Sequence, residues 1–180
     1  MLARGVVCGI SATRASILFT DRLTYGALTS SRLLGNLSGM SELIYPRSPR
    51  ETMDGWMYLP RYVDKIRLHL AGKLHSDYQA NFGKGFDGMW LEAAGVGHEQ
   101  MIAVVKNSLT DGQVCDWVRQ NVKRTAAEKS GHREAVLASP QASNAGAVER
   151  LKQRKVESGI AHRDEIKTFV EYIDADEKRI

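Results

Sequence analysis

The sequence predicts an all-α protein, a compact bundle of about six helices preceded by a poorly ordered N-terminal arm. From Met40 onward, apolar residues recur at the three- and four-residue spacing of a helix. No convincing alternation of apolar and polar residues, which would indicate a half-buried strand, occurs after that position. Thr110 and Thr125 each open a capping box, Thr-x-x-Gln and Thr-x-x-Glu, a pattern typical of helix starts.

The arm comprises residues 1–39 and carries most of the net charge. It holds four arginines against one aspartate, whereas the rest of the chain has 21 basic and 20 acidic side chains. A nearly neutral body has little field to attract a polyanion, so nucleic-acid binding is disfavoured. Three interpretations of the arm remain open: a start wrongly assigned upstream of a true start at Met40, an organellar transit peptide, or a translated but disordered segment.

The first predicted helix spans Met57–Ala71. Two prolines keep the preceding segment, Tyr45–Arg50, extended. Pro60 falls in the first turn, where its missing N–H costs nothing, and Gly72 can end the helix in a left-handed cap. The helix directs one apolar stripe toward the core, and its members are Leu59, Tyr62, Val63, Ile66 and Leu70.

A connecting loop over residues 73–88 follows, and further helices come after it. They are predicted at residues 89–94, His98–Asn107, Thr110 to Val122, Thr125 to the break at Pro140, Ala147–Ser158 and Arg163–Asp174. This order predicts two parts: a core helical domain over residues 40–122, and a helical C-terminal extension over residues 123–180 that packs on the core.

The composition predicts a soluble, cytoplasmic domain. The chain has 180 residues and is 43% hydrophobic, which is enough for a buried core. It contains no run of about 18 apolar residues, so no membrane span is expected. Its two cysteines, Cys8 and Cys115, have no spacing typical of a disulfide framework, which indicates free thiols in a reducing compartment. The role of Cys115 stays open.

The stretch "GKGFDG" at Gly83–Gly88 fits the glycine spacing of a phosphate-binding loop. A dinucleotide loop follows a buried strand, but the residues before Gly83 are polar. A kinase would also need His-Arg-Asp and Asp-Phe-Gly, and neither tripeptide occurs. The glycines are therefore predicted to permit positive φ in a tight loop before a helix. Anion binding by Lys84 and the helix start remains an alternative.

The stretch "WLEAAGVGHEQMIAVV" is similar to a helix-turn-helix motif. A recognition helix needs Arg, Lys, Asn or Gln on its outer face. The second helix, His98–Asn107, offers an outer face with little positive charge, made of His98, Glu99, Gln100 and Lys106. DNA binding is therefore only the third functional hypothesis.

The densest group of charged residues lies in "LPRYVDKIRLHLAG". Asp64 is three residues from both Arg61 and Arg67, so on a helix it can pair with either guanidinium. The group is either an anion-binding face or a solvated helix face with weak ion pairs. The candidate ligand-binding residues, including neighbours that could fold toward this face, are Arg47, Arg50, Arg61, Asp64, Lys65, Arg67 and Lys84.

No metal site, cofactor or catalytic residue is predicted from residue spacing. The five histidines include no His-x-x-x-His pair, and no Gly-x-Ser-x-Gly motif occurs. An enzymatic alternative remains, in which Asp64 or Asp87 acts as acid or base on an anionic metabolite held by the arginines. These observations lean toward a non-enzymatic domain.

Two linked motifs resemble a known family. The first is Tyr-Pro-Arg-Ser-Pro-Arg at Tyr45–Arg50, and the second joins Leu-Pro-Arg, Asp-Lys, Arg and Leu-Ala-Gly between Leu59 and Gly72. The similarity continues through "HEQMIAVV" and "TDGQVCDWV". Over about Ile44–Val122, the chain resembles the bacterial family called domain of unknown function 5069. The resemblance agrees with a start at Met40 and places residues 123–180 in an extension carried by part of the family.

The resemblance implies no activity, cofactor or catalytic residue, because none is assigned to that family. Its motifs contain most of the candidate charged residues, which gives the anion site and a structural ion network equal standing. We therefore expect a non-enzymatic interaction or small-anion-binding module, whose partner is a small anionic ligand or a protein. A small enzyme acting on an anionic metabolite is the second hypothesis. The oligomeric state stays open.

Overall fold

The computed structural model describes residues 43–180. Within that range it contains eight α-helices and one two-stranded hairpin, so the predicted all-α class is confirmed. The predicted arm at residues 1–39 lies outside the described residues. Every helix between residues 43 and 180 falls short of the length and apolarity that a membrane crossing needs.

A short hairpin precedes the first long helix. β1 (Thr52–Met53) pairs antiparallel with β2 (Trp56–Met57). Asp54 and Gly55 form the turn with φ of 51° and 77°, as a two-residue hairpin loop requires. The hairpin was not predicted, because strands of two residues are too short to produce an alternating pattern. The Asp-Gly pair was the signal that could have revealed it.

Helix α1 (Leu59–Leu70) follows the hairpin directly. It begins after the predicted Met57, because Met57 belongs to β2 and Tyr58 adopts a left-handed conformation with φ of 73°. The predicted apolar stripe is buried at Leu59, Tyr62, Val63 and Ile66. Leu70 in the last turn is 43% exposed, so the prediction is wrong at that position.

Seven further helices complete the bundle. They are α2 (Ser76–Gln79), α3 (Phe86–Ala94), α4 (His98–Lys106), α5 (Asp111–Asn121), α6 (Ala126–Leu137), α7 (Ala145–Glu157) and α8 (Phe169–Asp176). Helix α2 lies in the segment that was predicted to be a connecting loop, so that prediction is wrong over these four residues.

Side-chain caps fix several of the helix starts. The capping boxes predicted at Thr110 and Thr125 are both present, which confirms the starts of α5 and α6. A third box explains why α8 begins later than the predicted Arg163. The side chain of Glu171 accepts a hydrogen bond from the backbone N–H of Thr168 at 2.9 Å, and Thr168 caps the helix in return.

Three hydrophobic clusters hold the helices together. The largest joins the hairpin to α1, α3, α4 and α5, and its largest fully buried side chains are Trp56, Tyr62, Trp90, Leu59 and Ile66. A second cluster packs α7 against α8. The third consists of Met57, Val136 and Val170, with neighbours from α3 and α6. It brings α8 close to the hairpin that leads into α1.

The "GKGFDG" loop connects α2 to α3, so the element that leads into it is a helix and not a strand. Gly83 and Gly85 have φ of 73° and 54°, so the prediction that they turn a corner is confirmed. A Cβ atom on Gly83 would come within 2.7 Å of the His98 ring, so this position also needs glycine for space. The prediction is wrong for Gly88, which lies inside α3 without positive φ.

His132 on α6 gives the fold a pH dependence. Its Nε2 lies 3.2 Å from the carbonyl oxygen of Met57, and its ring meets the Trp56 ring at 5.5 Å. Burial lowers the pKa of His132 below its ordinary value, so the folded state binds the proton less tightly than the unfolded chain. The contribution of neutral His132 to the free energy of unfolding is therefore fully present above the unfolded pKa of about 6.5, and it declines as the pH falls below that value.

We expect urea denaturation to give a lower free energy of unfolding at about pH 5.5 than at about pH 7.5. A His132→Gln variant, which cannot take up the proton, should show a flatter profile over the same interval. If the free energy of unfolding falls equally with pH in the variant and in the native chain, the assignment of this pH dependence to His132 is contradicted.

Candidate functional site

A cavity of about 600 Å³ lies against the N-terminal half of α1. Its other walls come from α2, the loop that leads into α3, and helices α7 and α8. Much of the wall is aromatic, formed by Tyr45, Tyr58, Tyr78, Phe86, Phe169 and Tyr172. Its charged lining comprises five cations and three carboxylates: Arg61, Lys65, Lys84, Arg150, Arg154, Asp77, Asp176 and Glu177. The cavity therefore combines apolar walls with an excess of positive charge.

Arg61 forms a buried ion pair with Glu177, which follows the end of α8. The Arg61 guanidinium is bidentate on the carboxylate, with Nη1 at 2.9 Å from Oε2. Nη1 also donates to the backbone carbonyl oxygen of Arg47 at 2.8 Å. Tyr78 donates its hydroxyl to the same carboxylate at 2.7 Å and places its ring 5.5 Å from the guanidinium carbon.

The environment of Glu177 keeps its carboxylate charged. Burial alone would raise the pKa of Glu177, but Arg61, Tyr78 and Arg179 outweigh burial and hold the pKa below its ordinary value. Burial also opposes the charge on Arg61, and the carboxylate compensates, so the pKa of Arg61 stays above its ordinary value. Two charges removed from water are tolerated only when they are paired in this way.

Lys65 forms a second buried ion pair, with Asp87 on α3. The distance from Lys65 Nζ to Asp87 Oδ2 is 2.6 Å, and Asp87 has no exposed surface. The carboxylate also accepts hydrogen bonds from the Tyr58 hydroxyl and the Gly83 backbone N–H, each at 2.9 Å. Burial lowers the pKa of Lys65 below its ordinary value, and Asp87 opposes this only in part.

Local sequence explains how α1 presents these groups. Arg61 and Lys65 are four residues apart, so they lie on the same face of the helix. Tyr58, immediately before the helix, adopts positive φ although it is not glycine. Such conformations are strained and concentrate at functional sites. Here the strained residue supplies both part of the cavity wall and a hydrogen bond to Asp87.

Three cations of the cavity have no acidic partner in the part of the chain that the structure describes. The ion pairs formed within residues 43–180 do not include Lys84, Arg150 or Arg154. Arg150 and Arg154 are four residues apart on α7 and both line the cavity. These three side chains are therefore available to an anionic group inside it.

The remaining candidate residues lie outside the cavity lining. Arg47 bridges Asp64 at 2.8 Å and Asp111 at 2.7 Å, and Arg67 contacts Asp111 at 2.6 Å. The sequence placed Asp64 between the two arginines of its own helix, but the structure pairs it with Arg47 instead. This network joins the extended lead-in, α1 and the start of α5, which is a structural arrangement.

Arg50, another of the predicted ligand-binding residues, also lies outside the cavity lining. Its Nε donates to Asp174 of α8 at 3.0 Å. Of the seven predicted residues, the structure thus brings three to the cavity, namely Arg61, Lys65 and Lys84.

Several cavity residues were not predicted as site residues. Arg150 and Arg154 have a local signal, since their spacing puts both on one helix face, but α7 resembles any charged surface helix. Tyr78 and Glu177 have no local signal, because they approach Arg61 only in the folded chain. Asp87 was named as a possible acid or base, and the structure places it directly behind Lys65.

In the region that is similar to a helix-turn-helix motif, the predicted position of one residue is wrong. His98 was expected on the outer face of α4, but its Nδ1 lies 2.6 Å from the Tyr62 hydroxyl. Its ring also packs against Phe82 and Tyr62. His98 is therefore directed into the protein and does not contribute to an outward-facing surface of that helix.

Comparison with known proteins identifies the family. The model of a family described as Domain of unknown function (DUF5069) matches residues 44–179, and the chain belongs to that family. The match continues beyond Val122, where the resemblance noticed in the sequence stopped, and it includes α7 and α8. Every residue that lines the cavity, except Leu43, thus falls within the matched range. A search of curated proteins found no match.

Proposed function

We propose that this member of the DUF5069 family binds a small organic anion in the cavity between α1, α7 and α8. The observation that supports the proposal is the group of cations that line this cavity without an acidic partner among residues 43–180, namely Lys84, Arg150 and Arg154. Guanidinium groups bind carboxylates and phosphates through paired, charge-assisted hydrogen bonds. Arginines four residues apart on a helix can grip one such group together.

The size and walls of the cavity suit a small molecule better than a polymer. Its volume of about 600 Å³ falls within the range of about 300–1,000 Å³ that is usual for ligand sites. Aromatic side chains such as Tyr78, Phe169 and Tyr172 would contact an apolar or planar part of the ligand. The expected ligands are therefore phosphorylated or carboxylated metabolites with an organic body.

The test is a thermal-shift screen against such metabolites, followed by calorimetric titration of the compounds that raise the melting temperature. We expect Arg150→Ala and Arg154→Ala each to weaken binding by about tenfold or more, because a charge-assisted hydrogen bond contributes about 1.5–3 kcal/mol. Both arginines lie on the lining of the cavity and not in the hydrophobic core, so the variants should fold.

Lys152→Ala is the matched control. Lys152 lies on the same helix between the two arginines, but its side chain is 69% exposed and pairs with Glu149 at the surface. Its removal changes the net charge by as much as either arginine variant does. Equal loss of affinity in all three variants would point to a general charge effect, and no response to any anion would reject the site.

A further inference from the structure

We infer that Lys65 is a reactive amine that forms an imine with a carbonyl group of the bound anion. The inference rests on the proposed function, because the carbonyl compound must first be held in the cavity. It goes further by naming a substrate class: small oxo compounds, aldehydes or ketones, that also carry a carboxylate or a phosphate.

The position of Lys65 supports a chemical role. Its side chain is 3% exposed, and it forms part of the cavity lining. Only a neutral amine attacks a carbonyl carbon, and lysines gain a neutral fraction when they are desolvated. Burial acts in this direction on the pKa of Lys65. The exposed lysines of the chain, such as Lys152, lack this environment.

Asp87 is placed to move the protons that the reaction needs. Its Oδ2 lies 2.6 Å from Lys65 Nζ, within reach for direct proton transfer. The Tyr58 hydroxyl and the Gly83 N–H fix the carboxylate in that position. Asp87 is therefore held where it can take a proton from Lys65 and give it back.

The reaction balances with groups that are present. The Lys65 ammonium gives a proton to Asp87, and the neutral amine adds to the carbonyl carbon while a proton moves from nitrogen to oxygen. Asp87 then returns its proton to the new hydroxyl group, the C–O bond breaks and water leaves. The products are a protonated imine on Lys65 and one water molecule, and the Asp87 carboxylate is regenerated beside the positive charge.

The neighbouring cations define which carbonyl compounds can react. Lys84, Arg150 and Arg154 line the same cavity as Lys65 and would hold the anionic group of the substrate. The tyrosine and phenylalanine walls would cover its organic body. Neutral aldehydes, which these cations cannot hold, should react with Lys65 no faster than with a surface lysine.

Pyridoxal 5′-phosphate is a suitable probe, because it combines an aldehyde, an aromatic ring and a phosphate. The full chain is incubated with a limiting amount of the probe, the imines are reduced with sodium borohydride, and labelled lysines are quantified by peptide mass spectrometry. We expect the label on Lys65 to exceed that on Lys152 by at least about tenfold, although Lys65 is buried. Lys65→Arg keeps the positive charge and should carry no label at that position.

Pyridoxine 5′-phosphate, the alcohol that lacks the aldehyde, separates this inference from the proposed function. It should raise the melting temperature and protect Lys65 from labelling. If it binds but the label falls on Lys84 or on exposed lysines, the reactive amine is rejected and the anion site stands. If it neither binds nor protects, and the label follows exposure, the reactive amine is rejected, and the anion site is then decided by the thermal-shift screen of the other anions. The native chain alone gives these outcomes, even if Lys65→Arg does not fold.

Discussion

Asp87→Ala is expected to destabilise the protein by about 3–5 kcal/mol, the usual cost of removing one partner from a buried ion pair. Asp87 has no exposed surface, and its loss would leave the Lys65 ammonium without a counter-charge. The Tyr58 hydroxyl and the Gly83 N–H would also lose their acceptor. Urea denaturation at neutral pH measures the effect as a fall in the midpoint with little change in slope.

A second substitution shows whether the loss comes from the stranded charge. The Lys65→Met, Asp87→Leu double variant removes both charges of this pair, so neither is left buried without its partner and much of the stability should return. Asp116→Ala is the surface control, because Asp116 is 65% exposed and its one ion pair among residues 43–180 is with Arg119. It should change stability little. A similar small change for Asp87→Ala would mean that Asp87 does not hold Lys65 in solution.

Glu177→Gln is expected to cost about 3 kcal/mol or more at neutral pH, because it leaves the buried Arg61 guanidinium without its anion. The amide has nearly the same shape, so the change isolates the charge. Arg61 also packs on the Tyr78 ring, which remains in the variant. The measurement is again the free energy of unfolding in urea.

The loss should shrink in acid. The pKa of Glu177 is held below its ordinary value in the folded state, so the carboxylate contributes its full stability above the unfolded pKa of about 4.3. That contribution declines as the pH falls through the lower folded value. The native chain and Glu177→Gln should therefore converge at low pH. Glu149→Gln, which alters a carboxylate that is 75% exposed, should run parallel to the native chain.

Helix boundaries could be predicted where the determining contacts are local. The caps at Thr110 and Thr125 depend on residues three positions away, so the sequence contains the whole signal. Thr168 carries the same pattern, but a helix was predicted from Arg163, because Ile166 shares the helical spacing of the apolar residues Phe169, Val170 and Ile173. In the structure Ile166 lies in a turn before α8 and is nevertheless buried, because tertiary packing can cover a side chain without helical backbone.

The site could be predicted only in part, because ion pairs depend on which elements meet. Helical spacing put Arg61 and Lys65 on one face, and that face does reach a cavity. Their counter-ions, Glu177 and Asp87, lie far along the chain, so no sequence pattern near α1 indicates them. For the same reason spacing could not tell that Asp64 would bind Arg47 and stay outside the cavity.

The ion pair between Arg61 and Glu177 has a consequence for how the protein is made. A ribosome releases α1 well before α8, so the nascent chain carries the Arg61 cation for the whole interval without its carboxylate. The wall formed by α8 is also the last to be synthesised. The buried pair and the hollow beside it can therefore form only once α8 has been synthesised, and a chain interrupted before α8 would have neither.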